Sequence, residues 1–148
     1  MPYKTHWLEE HHTLYIDLRG VYTLSDLQNM LDENLSYIDR VPYKVHTILD
    51  ARKVERIQFS IHEVNQTRMP PIRNNTGWNL TITDNQLFFF IASTITQLLK
   101  NAQFKNSLTL ENALEFLASV EPLAQTLTVD KINALADHWE ADTPPKKD

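Results

Sequence analysis

Residues 78–117, WNLTITDNQLFFFIASTITQLLKNAQFKNSLTLENALEFL, read as strand, helix, strand, helix with almost no slack between elements, and they decide the fold class. Trp78, Leu80 and Ile82 alternate with Asn79, Thr81 and Thr83, the period-two signature of a strand with one preferred apolar face. Asp84 and Asn85 punctuate it, and either can cap the following helix by accepting a backbone N–H. Leu87, Phe88, Ile91, Ile95, Leu98 and Leu99 recur at helical spacing, while Phe89, Phe90 and Ala92 widen the apolar stripe. This helix is therefore expected to be buried on more than one side and to end near Lys100 and Asn101. Residues 104–108 suit a short strand, after which Thr109 caps a helix with Leu110, Ala113, Leu114 and Leu117 on one face. Two such units in succession predict an α/β domain.

Upstream, residues 4–9 and 13–20 predict an antiparallel hairpin at a sheet edge, joined through Glu10, His11 and His12. In its second strand Leu14, Ile16 and Leu18 face one way and Tyr15, Asp17 and Arg19 the other. Gly20 is expected to end that strand. Thr23 and Asp26 have capping-box spacing for an amphipathic helix carrying Leu24, Leu27, Met30, Leu31, Leu35 and Ile38. Pro42 makes a break, and residues 45–49 predict a short apolar strand ending at Asp50. Between residues 51 and 77 the pattern weakens to one or two helical turns around Phe59, Ile61 and Val64, a stop at Pro70 and Pro71, and a turn at residues 74–77. Past Leu117, Pro122 ends the helix, and Thr128 caps a last one bearing Val129, Ile132, Leu135, Ala136 and Trp139. The organisation expected is one domain over residues 1–122, then a C-terminal helix and flexible tail over 123–148.

The 148 residues are enough to bury a core without covalent staples. A formal charge of −5 argues against nucleic acid, which is bound by clustered cations. No cysteine is present, which fits a reducing compartment; no apolar run is long enough for a membrane span, and a cytoplasmic location is expected. The two glycines, Gly20 and Gly77, stand far apart, which excludes the glycine-rich phosphate loops of nucleotide-binding folds.

Three stretches then invite comparison with a family: Leu14-Tyr15-Ile16-Asp17-Leu18-Arg19-Gly20, a strand closing on glycine; Ile48-Leu49-Asp50-Ala51-Arg52-Lys53-Val54, a strand closing on aspartate; and a final unit from Ile82 through Phe104-Lys105-Asn106-Ser107 to Leu110-Glu111-Asn112-Ala113-Leu114. Together, over residues 13–117, they resemble the STAS domain and its SpoIIAA-like relatives, the anti-sigma-factor antagonists, as a divergent member. The resemblance implies a mixed sheet of about five strands with an N-terminal antiparallel hairpin and helices packed on it, here with an extra C-terminal helix. It implies a bacterial signalling role in the cytoplasm: a non-enzymatic regulatory or scaffold domain that contacts a protein partner, such as a regulatory kinase, through the segment after Asp50. Members that act as phosphorylation switches carry an Asp-Ser-Ser-Gly-like run there. This chain has Gln58-Phe59-Ser60-Ile61, which puts Phe59 in the phospho-serine place and leaves Ser60 beside it.

The recognition residues expected on this basis are Asp50, Arg52, Arg56, Phe59 and Ser60, with Ser60 a candidate for phosphorylation. Each has a plainer reading. Asp50 lacks the acidic pair that a magnesium-dependent phospho-acceptor needs and serves equally as a turn carboxylate; Ser60 reads first as a helix cap. His11 and His12, adjacent on a strand, point to opposite faces, and His6, His46, His62 and His138 are scattered, so surface histidines and no metal site are expected. Ser93 and Ser119 lack the glycine-flanked elbow of a hydrolase nucleophile, and no cofactor is implied. An enzyme drawing Asp50 together with Arg52, Arg56 or His62 is a third class. The alternative to protein recognition is a small-molecule or lipid-binding module with an apolar pocket near Trp78 and Phe88. The surplus apolar breadth of the Phe88 helix needs the rest of the core, the C-terminal helix or a homodimer partner to cover it.

Overall fold

The computed structural model describes residues 3–67, 71–98 and 102–142. Among them five strands form one sheet in the order β1-β2-β3-β4-β5: β1 (Tyr3–Leu8), β2 (Thr13–Tyr22), β3 (Val45–Ile57), β4 (Thr76–Ile82) and β5 (Gln103–Ser107). β1 and β2 make the expected antiparallel hairpin, with Tyr3 opposite Leu18 and Leu8 opposite Thr13; the other pairings are parallel. The fold is thus a mixed α/β sheet of five strands with helices packed on it and a further helix at the C-terminal end, as the sequence predicts.

Parallel neighbours require crossovers, and α1 (Leu24–Ile38), α2 (Ile61–Gln66) and α3 (Gln86–Leu98) supply them. Because strand order follows chain order and such crossovers share one hand, all three lie on the same face. There Ile16 and Leu18 of β2 and Ala51 of β3 bury against Leu27 and Met30 of α1, Val64 of α2, and Phe88 and Ile91 of α3. The other face is covered by α4 (Leu110–Val120), a 3-10 turn at Pro122–Thr126, and α5 (Val129–Asp142). Tyr15, Ile48, Leu80 and Ile82 pack there on Leu110, Leu117, Leu127 and Ile132. Strand alternation makes this division, sending Ile16 to one layer and Tyr15 to the other. The helix starts are capped as expected. Thr23 and Asp26 form a capping box, Asn85 Oδ1 accepts from Phe88 N at 3.2 Å, and Thr109 and Thr128 accept from Asn112 N and Lys131 N.

Several expectations are corrected. Gly20 does not end β2; it adopts a left-handed φ of 69° and the strand continues to Tyr22. β3 does not stop at Asp50 but runs on to Ile57, because β2 keeps pairing with it beyond the end of β4. α3 is buried along one side only. The sheet offers it a single surface, so Phe88 and Ile91 are covered while Leu87 is 52% and Phe90 59% exposed. His11 and His46 are buried rather than on the surface. Leu99, Lys100, Asn101, Pro70 and the expected tail at 143–148 lie outside the described residues.

Gly77 is required by a close approach. A Cβ on it would stand 2.5 Å from His46 Nδ1 and 2.9 Å from the Val45 carbonyl oxygen, both on the neighbouring strand β3. Gly77→Ala should therefore lower stability by about 1–3 kcal/mol, the usual cost of overpacking. Urea unfolding should show the midpoint falling with the slope unchanged, and an unmoved midpoint would show that β3 and β4 tolerate the methyl.

Candidate functional site

Two short motifs, Asp17-Leu18-Arg19 on β2 and Asp50-Ala51-Arg52 on β3, place an arginine two residues after an aspartate on the same face of a strand. Asp17 and Asp50 are register partners on adjacent strands, and both are almost fully buried. Two carboxylates side by side out of water must each be compensated. Arg52 grips Asp50 with Nε to Oδ1 at 2.9 Å and Nη2 to Oδ2 at 2.7 Å, and its backbone N–H reaches Oδ1 at 3.2 Å. From β2, the Tyr15 hydroxyl donates to Asp50 Oδ2 at 2.5 Å. Arg19 serves Asp17 through Nη2 at 2.8 Å and Nε at 3.2 Å, and also donates to the Ala136 carbonyl of α5 at 2.9 Å. Burial pushes the Asp50 carboxyl up, but the hydrogen bonds from Arg52 and Tyr15 outweigh it and hold it below its ordinary value. Tyr15 is raised by burial and by the Asp50 charge; Arg52 is raised chiefly by its hydrogen bonds to Asp50.

Among the described residues the sheet narrows at this point. β4 pairs with β3 as far as Ile82 opposite Asp50, and β1 with β2 as far as Tyr3 opposite Leu18, while β2 and β3 continue together to Tyr22 and Ile57 as a two-stranded ribbon. Its register shifts twice, between Asp17 and Arg19 and between Gly20 and Val21, and β3 advances one residue more than β2 at each shift. Such bulges bend and twist a ribbon. Gly20 takes its left-handed conformation between the two shifts. Val54 and Ile57 lean on the α1–α3 layer, whereas Arg52, Lys53, Glu55 and Arg56 are exposed.

The expected recognition residues thus divide. Arg52 and Arg56 reach the surface, Asp50 lies beneath Arg52, and Phe59 is in the core, its ring 5.9 Å from that of Tyr22. Ser60 is exposed and caps α2: its Oγ accepts from Glu63 N at 3.1 Å while Ser60 N donates to Glu63 Oε1 at 3.2 Å. His62 is on the exposed side of α2, while both oxygens of buried Asp50 are engaged by Tyr15 and Arg52. Trp78 and Phe88 do not share a pocket either, because they belong to opposite faces of the sheet. Trp78 meets Phe116 of α4 edge-on at 4.8 Å, while Phe88 lines a cavity of about 80 Å³ between α1 and α3 with Met30, Leu49 and Ile91.

Lys53 falls within the expected recognition segment, whereas Tyr15, Asp17 and Arg19 have no assigned role in the sequence, although the repeated Asp-x-Arg spacing is a usable signal. A second polar cluster gave none. His46 Nδ1 accepts from Trp78 N at 3.0 Å, its Nε2 lies 3.4 Å from Glu121 Oε1, and His12, stacked on Tyr43, lies 3.7 Å from the same oxygen. Burial lowers the His46 pKa more than Glu121 raises it. Among the described residues no three His, Asp or Glu side chains are grouped so as to hold a metal ion, and no helix is long and apolar enough to cross a membrane.

The depressed Asp50 carboxyl sets a pH dependence. Its stabilisation is present above the ordinary value of 3.8 and is lost as pH falls through the lower folded value, because the unfolded chain takes up the proton first. Asp50→Asn should be less stable than wild type at neutral pH by about 1.5–3 kcal/mol, the scale of hydrogen bonds to a charged group. Urea unfolding across the acid range should show that gap closing below pH 3.8; a gap independent of pH would show that the charge of Asp50 is irrelevant.

No protein-family model and no curated protein matches this chain. Among solved structures it is similar to an uncharacterized protein of the DUF3478 family with a SpoIIAA-like fold from Shewanella loihica PV-4, at 13% identity and a TM-score of 0.49, over 78% of this chain and 91% of that one.

Proposed function

We propose that this chain is a non-enzymatic, cytoplasmic regulatory or scaffold domain that binds another protein through the β2–β3 ribbon and the start of α2. One observation carries the reading: the ribbon runs on beyond the five-stranded part of the sheet with Lys53 and Arg56 exposed and without an ion-pair partner among the described residues, beside an Arg52 locked onto buried Asp50. The backbone beneath these cations is already ordered by its pairing with β2 and loses little freedom on binding, and their charge selects an oppositely charged surface. The sequence resemblance to anti-sigma-factor antagonists points in the same direction. Ser60 enters as the cap of α2. A phosphate there would stand against Glu63, whose Oε1 is 3.3 Å from Ser60 Oγ, so recognition in this reading is constitutive.

Retention experiments from a lysate of the source organism test this with three baits: wild type, Lys53→Glu combined with Arg56→Glu, and Glu115→Lys on the exposed side of α4. A protein held by the first and third baits and lost by the second is the expected result. The same proteins on all three baits, or none on any, would contradict a recognition role for the ribbon.

A further inference from the structure

Past Asp50, β3 has a strand on one side only. β2 remains paired with it to Ile57, but among the described residues no strand pairs with residues 51–57 on the side that β4 occupies earlier. Apart from the Arg52 N–H, which Asp50 Oδ1 already holds, such an edge presents backbone N–H and C=O groups able to accept another strand, and its bulges and charges restrict which strand that is. Side chains decide which strand is accepted. Arg52, Lys53 and Arg56 against the single Glu55 make this segment locally basic in a chain of net charge −5. A second copy of the chain would bring the same cations opposite these, and like charges across a strand pair are destabilising. An acidic strand meets no such penalty.

We propose that residues 51–57 of β3 receive an extended acidic segment of a partner protein as an added strand, with Lys53 and Arg56 meeting its carboxylates. The inference rests on the recognition reading above and supplies its binding mode. The receiving strand is anchored for that purpose. Arg52 stays with Asp50, Val54 and Ile57 hold to the α1–α3 layer, and Gln58 N donates to the Tyr22 carbonyl at 2.8 Å where the ribbon closes.

The test titrates the full isotopically labelled chain with peptides of about eight residues, a common strand length, in which Asp or Glu alternates with β-branched or aromatic residues. The same peptides N-methylated at alternate backbone positions, and basic counterparts, are run beside them. The expected result is saturable binding of the acidic peptides, slowed amide exchange within residues 51–57, and loss of binding on N-methylation. Lys53→Glu with Arg56→Glu should weaken affinity about tenfold or more. Binding that survives N-methylation and leaves those amides unprotected overturns strand addition, yet leaves the charged recognition surface standing. No binding of any acidic peptide to the folded chain overturns the inference by itself, and a partner retained in the bait experiment would then bind by other contacts.

Discussion

A carboxylate with almost no access to water sits where the sheet changes from five strands to two. Asp50 lies beside buried Asp17, and neither charge is tolerable there without compensation. The chain answers twice in the same way, with an arginine two residues further along each strand, and Tyr15 completes the shell of Asp50 from β2. The Tyr15 bond ties β3 to β2 just as β4 departs, so the ribbon leaves the body of the sheet from a fixed base. Its bulges and Gly20 then set its course.

The two faces of the sheet follow from a different constraint. With strands laid down in chain order, every parallel crossover falls on one side, and the layer of α1, α2 and α3 is fixed by handedness alone. Tyr15, Ile48, Leu80 and Ile82 on the other side need a cover, and α4, the Pro122–Thr126 turn and α5 provide it. Arg19 links the two arrangements, since one guanidinium serves buried Asp17 and the Ala136 carbonyl of α5.

The elements read best in the sequence were those whose periodicity matched one-sided burial: the hairpin, α1 with its capping box, and the succession from Trp78 to Leu117. Reading failed where exposure broke that match. Residues 51–57 looked like a loop because Arg52, Lys53, Glu55 and Arg56 hide the strand pattern, and only Val54 and Ile57 mark the buried side. α3 reads as buried on more than one side because Phe89, Phe90 and Ala92 widen its apolar stripe, although a sheet can cover only one side of a helix. At the site, Asp50, Arg52 and Arg56 were legible from their position, whereas Tyr15 came into view only through the register that sets β2 beside β3. Nothing local announces that His46 shares a carboxylate oxygen with His12 across the fold, since Glu121 arrives from beyond α4.

Native-state hydrogen exchange on wild type and Asp50→Asn asks most directly whether the Asp50 cluster stiffens the ribbon. The amides of the ribbon that bond back to β2, Gln58 N–H to the Tyr22 carbonyl among them, report on the arm; those of β3 between Val45 and Asp50 report on the body of the sheet. The account predicts that the substitution speeds exchange in the ribbon well beyond any change in the body, because local opening is governed by local contacts. Equal acceleration in both, or none in the ribbon, would contradict it.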